Sequence, residues 1–378
     1  MKCFGRTSIS SFLGDFIVYR NIIPIDPRLP SMEEILKTLG KSSLAIPRKT
    51  SPEYAEILTA LLREARAQDA PGIHIERVLF LGDTRMNDGT AFGNICSAGN
   101  WTGMAFIGSE REEPLHTEII EQNNTTLFLA NRWNALEVFI EYCRQMDFHI
   151  DEHTLVLLDI DKTTLGARGR NDHVIDQVRV EAATQTVGNL LGGEFDLERF
   201  QFAYHYLNQT EFHPFTADNQ DYLVYICLIL GSGLFDLETL TDDVRSARVV
   251  SFSQFITQID KKTDQLPPEL RSIHEDIYSR FKQGDPTPFK AFRYNEYLVS
   301  AARMGQLGVE TPVNELLSQE ILITHEVHQA ALSWRAQGAL LFGISDKPDE
   351  ASIPTRDMAS QGYKPIHQIE TEVVGAIS

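Results

Sequence analysis

A run of four apolar residues that leads into two aspartates, Leu155-Val-Leu-Leu-Asp159-Ile-Asp161, constrains the fold of this chain more than any other stretch. The run shows no alternation, which favours a strand covered on both faces, as in a parallel sheet between helices. Ligands of open α/β sheets bind at the carboxyl ends of such strands. If the chain stays extended, the spacing of two directs both carboxylates to one side. The stretch therefore predicts an α/β fold with a site at Asp159 and Asp161, although aspartates also favour plain polar turns.

Two further apolar runs of the same kind end in a polar residue. Residues 77–82 are followed by Asp83, and the run that begins at Ala339 ends at Ser345. Both patterns predict buried strands of a parallel sheet. We therefore expect Asp83 and Ser345 at the carboxyl ends of strands, where α/β proteins bind their ligands.

The segment after Asp83 contains a second candidate acid. Asn87 and Asp88 follow within five residues, and the sequence leaves open which of them acts together with Asp83. A helix is predicted over residues 91–98, ended by a glycine, and a short strand over residues 103–107.

A helix start is predicted at Ser51-Pro52, because serine is a preferred cap and proline suits the first helical position. The apolar residues that follow recur at helical spacing: Ile57, Leu58, Leu61, Leu62 and Ala65. Lys49 lies just before this helix. By itself, such a lysine is interpreted as a solvated surface charge.

The region from about Gly166 to about Glu320 shows helical periodicity and no strand alternation of any length. The predicted helices span residues 175–191, 197–207, 221–235, 252–262, 268–283 and 289–304. This pattern predicts an all-helical domain, residues 166–320, inserted into an α/β core made of residues 1–165 and 321–378.

The pattern Asp159-x-Asp161-x-Thr163 resembles the first motif of the haloacid dehalogenase-like superfamily of phosphohydrolases, which also follows four apolar residues. Gly82-Asp83 resembles the family's last motif, in which a second aspartate follows a few residues later. The predicted helix and strand after it also stand where the family has them. The resemblance implies a Rossmann-like parallel sheet core with a large helical cap inserted after the first motif.

The order of the motifs along this chain differs from the family order. In the family, the aspartate pair is followed by the cap, a strand ending in Ser or Thr, a lysine before a helix, and the Gly-Asp motif. Placing residues 151–378 ahead of residues 1–150 restores that order, with Ser345 as the second motif and Lys49 as the third. The sequence therefore resembles a circular permutation of the family, which neighbouring chain ends make physically easy. Lys347 is the weaker alternative to Lys49.

The resemblance also implies a chemistry for these residues. Asp159 is the nucleophile that forms an aspartyl-phosphate, and Asp161 is the general acid and base. Lys49 stabilises the negative charge of the transferring phosphoryl group, and Ser345 donates a hydrogen bond to it. Dehalogenases of the family lack the second aspartate, so Asp161 favours phosphoryl transfer.

A metal ion is expected among the aspartates, because like charges held close together raise each other's pKa. A hard divalent cation relieves this repulsion, and Mg²⁺ suits a few carboxylates together with water and a phosphate oxygen. The predicted ligands of Mg²⁺ are Asp159, Asp161, Asp83 and Asp88.

Several residues close to the nucleophile are candidates for holding the polar groups of a substrate: Thr163, Arg168, Arg170 and Asn171. For the last three, a solvated loop is an equally good interpretation. Lys162 stands where most phosphatases of the family have glycine.

Composition limits the partners. The 378 residues carry a formal net charge of −19, which argues against nucleic acid or an anionic membrane as a partner. A small phosphorylated substrate is compatible with this charge, because a bound cation reverses the sign locally. The four cysteines are far apart in sequence, and no apolar run could cross a membrane, so free thiols in a reducing cytoplasm are expected.

The sequence as a whole predicts a cytoplasmic, Mg²⁺-dependent phosphatase of a small phosphorylated metabolite. A phosphomutase of the same fold and a non-catalytic regulatory protein that binds a phosphometabolite are the alternatives; the substrate and the oligomeric state are left open.

One geometric expectation is specific. The strand ending at Asp159 should lie between those ending at Asp83 and Ser345, with strand 103–107 beyond and the ammonium of Lys49 near Asp159. The plainer alternative is two independent α/β units with separate sheets.

Overall fold

The computed structural model describes residues 1–42, 46–308 and 310–377 of the chain. Within these ranges the strands are β1 (Lys2–Thr7), β2 (Ile17–Val18), β3 (Arg77–Gly82), β4 (Thr102–Gly108), β5 (Thr117–Gln122), β6 (Thr125–Ala130), β7 (Thr154–Asp159), β8 (Ile323–Thr324), β9 (Leu340–Ile344) and β10 (Thr371–Gly375). The α-helices are α1 (Ser10–Leu13), α2 (Met32–Thr38), α3 (Pro52–Asp69), α4 (Thr90–Gly99), α5 (Leu136–Gln145), α6 (Asp172–Leu191), α7 (Leu197–Leu207), α8 (His213–Thr216), α9 (Gln220–Gly231), α10 (Leu237–Arg245), α11 (Phe252–Asp260), α12 (Pro268–Lys282), α13 (Lys290–Ala301), α14 (Val313–Gln319), α15 (His325–Ala336) and α16 (Arg356–Ser360).

The chain forms two compact units. One consists of Met1–Gln177 with Ser300–Ser378 and is called the α/β unit below; the other, Val178–Val299, is called the helical unit. The boundaries of the helical unit fall inside α6 and α13, whereas the sequence-based boundaries of the inserted domain are residues 166 and 320.

The main sheet of the α/β unit has seven strands in the order β2-β9-β7-β3-β4-β6-β5. All neighbouring pairs are parallel except β5 and β6, which are antiparallel. The strand β7 therefore lies between β3 and β9, with β4 beyond β3. This order confirms the geometric expectation from the sequence and excludes two α/β units with separate sheets.

Both faces of the central strands are covered, which explains their unbroken apolar sequence. Every residue of β7 is buried. On one face, α3 and α4 contribute to a core cluster that includes Phe80 and Phe92. Elsewhere in the sheet, Phe106 and Phe128 pack with Phe139 of α5 at ring-centroid distances of 5.6–6.2 Å. A strand at this position would lose stability if its apolar residues alternated with polar ones.

Two helices of the α/β unit begin at serine caps, and the start at Ser51-Pro52 was correctly predicted. The side chain of Ser31 accepts a hydrogen bond from the backbone N–H of Glu34, whose carboxylate accepts one from the N–H of Ser31 in return. Before α3, Ser51 accepts from the N–H of Tyr54, and Pro52 is the first helical residue. These caps satisfy N–H groups that have no partner inside their helices.

Other elements differ from the prediction. Residues 12–25 could hold a strand by their sequence, but they form only the two-residue strand Ile17–Val18. The strand β5 was not predicted, because five of its six residues are exposed and it lacks an apolar face. The acidic helix α10, which is capped by Asp236, was also not predicted and lies between the predicted helices 221–235 and 252–262.

A second, three-stranded sheet of the α/β unit joins the two ends of the chain, in the order β1-β10-β8. The strands β1 and β10 are antiparallel, with Lys2 opposite Gly375. Directly paired residues of antiparallel strands have Cα atoms only about 5 Å apart. The first and last strands therefore place their outer ends side by side.

The helical unit contains a buried ionic cluster. The guanidinium of Arg293 donates to Asp221 from Nε at 2.7 Å and to Glu296 from NH1 at 2.6 Å. Burial raises the pKa of Asp221 to about 6, although Arg293 acts in the opposite direction. Because each charge has an oppositely charged partner, the cluster tolerates its burial.

The cysteines and the apolar helices agree with the sequence-based expectations. All four cysteines are free thiols, and Cys96, Cys143 and Cys227 are buried. Burial raises the pKa of these three thiols, which disfavours the reactive thiolate. Among the described residues, no helix combines the length and the apolar character needed to cross a membrane.

The pairing of the two chain ends leads to a test of the fold. A permuted chain that begins at His149, joins the original ends through a short linker and finishes at Phe148 should fold, because the linker spans neighbouring strand ends and the new opening lies in the loop after α5. We expect a far-UV circular dichroism spectrum like that of the natural chain and a Tm within a few degrees of it.

A matched control opens the chain between Leu79 and Phe80, inside the central strand β3. This permutant should not fold cooperatively. Equal stability of both permutants, or failure of the first alone, would contradict the pairing of the ends as described.

Candidate active site

The candidate site lies at the carboxyl edge of three neighbouring parallel strands. Asp159 is the last residue of β7, Asp83 follows β3 directly, and Ser345 follows β9 directly. The strands are paired in register, with Asp159 opposite Ile344 of β9 and Leu158 opposite Leu81 of β3. This register places the three polar residues at one edge of the sheet, where α/β proteins bind their ligands.

Lys49 reaches the same edge from the start of α3. Its buried ammonium donates to Oδ1 of Asp159 at 2.6 Å and to Oδ1 of Asp88 at 2.7 Å. The loop that carries it is fixed, because the side chain of Asn94 donates to the carbonyl of Thr50 at 2.9 Å. The interpretation of Lys49 as a solvated surface lysine is therefore wrong.

The choice between the two lysine candidates follows from the contacts of Asp159. Among the described residues, Lys49 is the one lysine that forms an ion pair with this carboxylate. Lys347 donates its backbone N–H to the hydroxyl of Ser345 at 3.0 Å. Lys49 thus occupies the position for which Lys347 was the weaker alternative.

Asp88, and not Asn87, belongs to the site. Asn87 is exposed, whereas Asp88 is buried and accepts three hydrogen bonds at Oδ2. The donors are the N–H of Asp83 at 3.0 Å, and the N–H and the hydroxyl of Thr84 at 2.8 and 2.9 Å. Gly82 permits this arrangement, because a Cβ there would lie 2.7 Å from the Cβ of Asp88.

Burial and charge shift the pKa values of these groups in opposite directions. Burial disfavours the charge of Lys49, but the carboxylates of Asp159 and Asp88 outweigh it and raise the pKa of the ammonium well above its usual value. Burial also acts to raise the pKa of Asp88, but Lys49 and the hydrogen bonds lower it below the usual range. Burial raises the pKa of Asp159 far above normal, reinforced by Asp88 and Asp83, and raises the pKa of Asp83 to about 7. In the absence of a metal ion, Lys49 and Asp88 therefore keep their charges most readily, whereas burial favours the protonated form of Asp159. A bound cation would favour the ionised carboxylate of Asp159.

The donor set fits a hard divalent cation. Asp83, Asp88 and Asp159 each offer a carboxylate oxygen, and these oxygens lie within 4.8 Å of one another. Lys49 and Arg168 contact these carboxylates with two positive charges, against three negative ones when all are ionised. Oxygen ligands suit Mg²⁺, Mn²⁺ and Ca²⁺ alike, so the set indicates a class of cation and not one element.

The predicted ligand Asp161 is not part of this cluster among the described residues. The prediction assumed an extended chain, but the chain turns directly after β7. The N–H of Thr164 bonds to the carbonyl of Asp159 at 3.2 Å, and Lys162 has a left-handed φ of 64°. In a turn, residues two apart need not point the same way, so Asp161 lies outside the set of carboxylate oxygens that are within 4.8 Å of one another.

Lys162 stands in this turn at a position where glycine would be expected, and its side chain forms an ion pair there. Its left-handed backbone is the conformation that glycine adopts most easily. The ammonium donates to both carboxylate oxygens of Asp176 at 2.8 Å. The extra positive charge at this position is therefore paired with the first turns of α6.

The hydroxyls of Ser345 and Thr163 have different surroundings. Ser345 is buried and accepts one hydrogen bond, from Lys347, and in the described part of the chain its own hydrogen has no acceptor. Thr163 is fully buried, and its hydroxyl has no partner among the described residues. A substrate could use the Ser345 hydroxyl as a donor, whereas contact with Thr163 would require the turn to move.

Two of the predicted substrate-binding residues serve the structure instead. Arg170 is buried and forms a two-point ion pair with Glu326, both bonds being 2.9 Å long. The side chain of Asn171 donates to the carbonyls of Leu317 and Glu320, at 2.7 and 3.0 Å, and accepts from the N–H of Leu322 at 3.1 Å. Most of their polar atoms are thus engaged within the α/β unit, with the buried Nε of Arg170 as the exception, which favours a structural role for both residues over the predicted contact with a substrate.

Arg168 is the predicted substrate-binding residue that does reach the cluster. Its Nε donates to Oδ2 of Asp83, and its side chain is 37% exposed.

Sequence reasoning missed two neighbours of the acids. Thr84 binds Asp88 as described above, and the hydroxyl of Thr164 donates to the carbonyl of Asp159 at 2.7 Å. Their position directly beside the aspartates is the signal that could have identified them, since threonine often bonds to nearby backbone and side-chain oxygens.

Comparisons with family models, with curated proteins and with solved structures gave no match to this chain. Its function is therefore inferred from the site itself.

Replacing Lys49 should expose the repulsion that it suppresses. Lys49→Met leaves Asp88 and Asp159 buried without their cation, which should lower the free energy of unfolding by about 3–5 kcal/mol. Urea unfolding in the presence of EDTA measures this loss. Adding Asp159→Asn to Lys49→Met should restore part of it, because the amide removes one of the two buried carboxyl groups that destabilise each other's charged form.

The control is Lys41→Met, which removes a lysine from an exposed ion pair with Glu56 and should change stability by less than about 1 kcal/mol. A Lys49→Met protein as stable as this control would show that the buried pair is unimportant.

The structural role of Asn171 has its own test. Asn171→Ala leaves one buried N–H and two carbonyls without their partner, so we expect a loss of about 2–4 kcal/mol in urea unfolding. Metal binding should be unchanged in the folded protein. Normal stability combined with weaker binding of a substrate would instead restore the original substrate-binding interpretation.

Proposed function

We propose that this protein is a cytoplasmic, Mg²⁺-dependent phosphatase of the haloacid dehalogenase-like type, acting on a small phosphorylated metabolite. The observation that carries the proposal is the buried ammonium of Lys49 between Asp159 and Asp88, with Asp83 beside them, at the carboxyl edge of parallel strands. A site of this kind combines a carboxylate nucleophile with positive charge for a phosphoryl group. The net charge of −19 supports a small substrate over a nucleic acid.

Asp159 is proposed as the nucleophile because its two oxygens have different surroundings. Oδ1 accepts from Lys49, while Oδ2 accepts no hydrogen bond in the described part of the chain. Attack by Oδ2 on phosphorus forms an aspartyl-phosphate and breaks the bond to the leaving oxygen. Asp161 gives its proton to that oxygen, and then takes a proton from the water that attacks phosphorus and releases Asp159.

The remaining groups stabilise charge. Lys49 stays protonated and neutralises negative charge on Asp159 and on the phosphoryl oxygens. Ser345 has its hydroxyl hydrogen available for one phosphoryl oxygen. Asp83, Asp88 and Asp159 would hold the cation, which when bound supplies further positive charge to the phosphoryl oxygens.

The activity prediction concerns Asp159. The wild-type protein should release inorganic phosphate from one or more members of a panel of phosphorylated metabolites, and only with Mg²⁺ present. Asp159→Asn should abolish this release, because an amide cannot act as the nucleophile, while the near-identical shape preserves folding. Full activity of the variant would exclude the mechanism. Transfer of phosphate to a second metabolite, without release, would identify a phosphomutase instead.

The metal prediction uses stability and no substrate. Mg²⁺ at ten times its Kd should stabilise the native state by about 1.4 kcal/mol through mass action, a rise in Tm of about 2–3 °C. Asp83→Ala should lose this rise, because it removes a ligand. Asp357→Asn, which removes an exposed acid on α16, should keep it. An unchanged melting curve of the wild-type protein would count against a metal site.

A further inference from the structure

Arg168 occupies a position in the site that the mechanism above does not use. Its Nε donates to Oδ2 of Asp83, a proposed metal ligand. Among the described residues, the two terminal NH₂ groups of the guanidinium have no hydrogen-bond partner, and the side chain is 37% exposed. Arginine is well suited to bind phosphate, since its planar fork presents several N–H donors at once. Here most of those donors are unused.

The main chain of Arg168 is fixed, so only its side chain can move. Its N–H donates to the carbonyl of Lys162 at 2.8 Å. Its carbonyl accepts from the N–H of Glu110 at 2.8 Å and from Nε1 of Trp133 at 3.1 Å. The next residue, Gly169, packs so closely that a Cβ would lie 2.0 Å from the carbonyl oxygen of Glu110. The side chain thus extends from a rigid base.

A divalent cation and the guanidinium compete for the same carboxylate. The cation needs an oxygen of Asp83, and two positive charges beside one carboxylate repel each other. A charged guanidinium displaced from Asp83 requires a new anionic partner. During the proposed reaction that partner would be the phosphoryl group, whose oxygens the same cation would attract.

We propose that Arg168 is an exchangeable counter-cation, which neutralises Asp83 when the metal is absent and binds an oxygen of the substrate's phosphoryl group when the metal is present. The inference rests on the metal-dependent phosphoryl chemistry proposed above. It predicts positive coupling between binding of the metal ion and binding of the oxyanion. The metal ion would free the arginine to bind the oxyanion, and the oxyanion would move the arginine away from Asp83. Such coupling is reciprocal by thermodynamic necessity.

The test uses Mg²⁺ and orthovanadate, an analogue of the transferring phosphoryl group, with the full-length protein and isothermal titration calorimetry. In Arg168→Gln, Mg²⁺ alone should bind about fivefold more tightly, since its competitor is gone. Vanadate in saturating Mg²⁺ should bind at least about tenfold more weakly, since a charged hydrogen-bond donor is lost. The ratio of the vanadate Kd values without and with Mg²⁺ should also fall.

Arg111→Gln is the matched control. Arg111 is exposed, lies next to Glu110 in sequence, and makes no ion pair through its own side chain among the described residues. The substitution should leave both affinities unchanged. Arg168→Lys is the second variant, used also if the glutamine variant does not fold. It keeps the charge but loses the fork, so vanadate binding should weaken while Mg²⁺ binding stays near the wild-type value.

The outcomes separate this inference from the proposed function. Opposite changes in the two affinities on Arg168→Gln, absent from the control, support the exchange. Weaker Mg²⁺ binding in that variant, or unchanged vanadate binding, would overturn the exchange while leaving the metal-dependent phosphatase intact. A wild-type protein that binds neither Mg²⁺ nor vanadate would overturn both.

Discussion

The buried ammonium of Lys49 is the interaction on which the site depends. It joins two carboxylates that lie 39 and 110 residues away along the chain, and it does so where little water can screen their charges. Without this cation, Asp88 and Asp159 would be desolvated anions side by side, which no fold sustains at neutral pH without protonation. The same contact therefore holds the carboxyl edge of the sheet together and keeps a positive charge beside the proposed nucleophile.

The order of elements in space is independent of their order along the chain. The central strand β7 lies between β3, which precedes it, and β9, which follows some 180 residues later. The antiparallel pairing of β1 with β10 brings the chain ends together, so a chain could be opened elsewhere without changing the sheet. Neighbouring chain ends are also what a circular permutation requires, since the linker that joins them can then be short.

Polar residues near a nucleophile are not all available to a substrate. Arg170 and Asn171 follow Asp159 closely in sequence, yet Glu326 and Glu110 bind the terminal nitrogens of Arg170, and three backbone groups bond to the amide of Asn171. Buried backbone groups need partners, and a nearby arginine or asparagine supplies them. Arg168 differs, since its backbone N–H and carbonyl are hydrogen-bonded, whereas in its guanidinium only Nε has a partner among the described residues. Accessibility of the donors, more than proximity in sequence, separates a binding residue from a structural one.

The sequence by itself determined the α/β class, the three buried strands with polar ends, and the start of α3, because these follow from local periodicity and caps. It also indicated Asp83, Asp159 and Ser345 as residues of one site. Tertiary structure alone decided that Asp88 and not Asn87 enters the site, and that Lys49 is buried. It also decided that the Asp161 carboxylate leaves the cluster. These outcomes depend on which groups meet at the sheet edge and on a turn held by backbone hydrogen bonds. The spacing of residues along one chain segment reveals neither the long-range contacts nor the conformation of the turn.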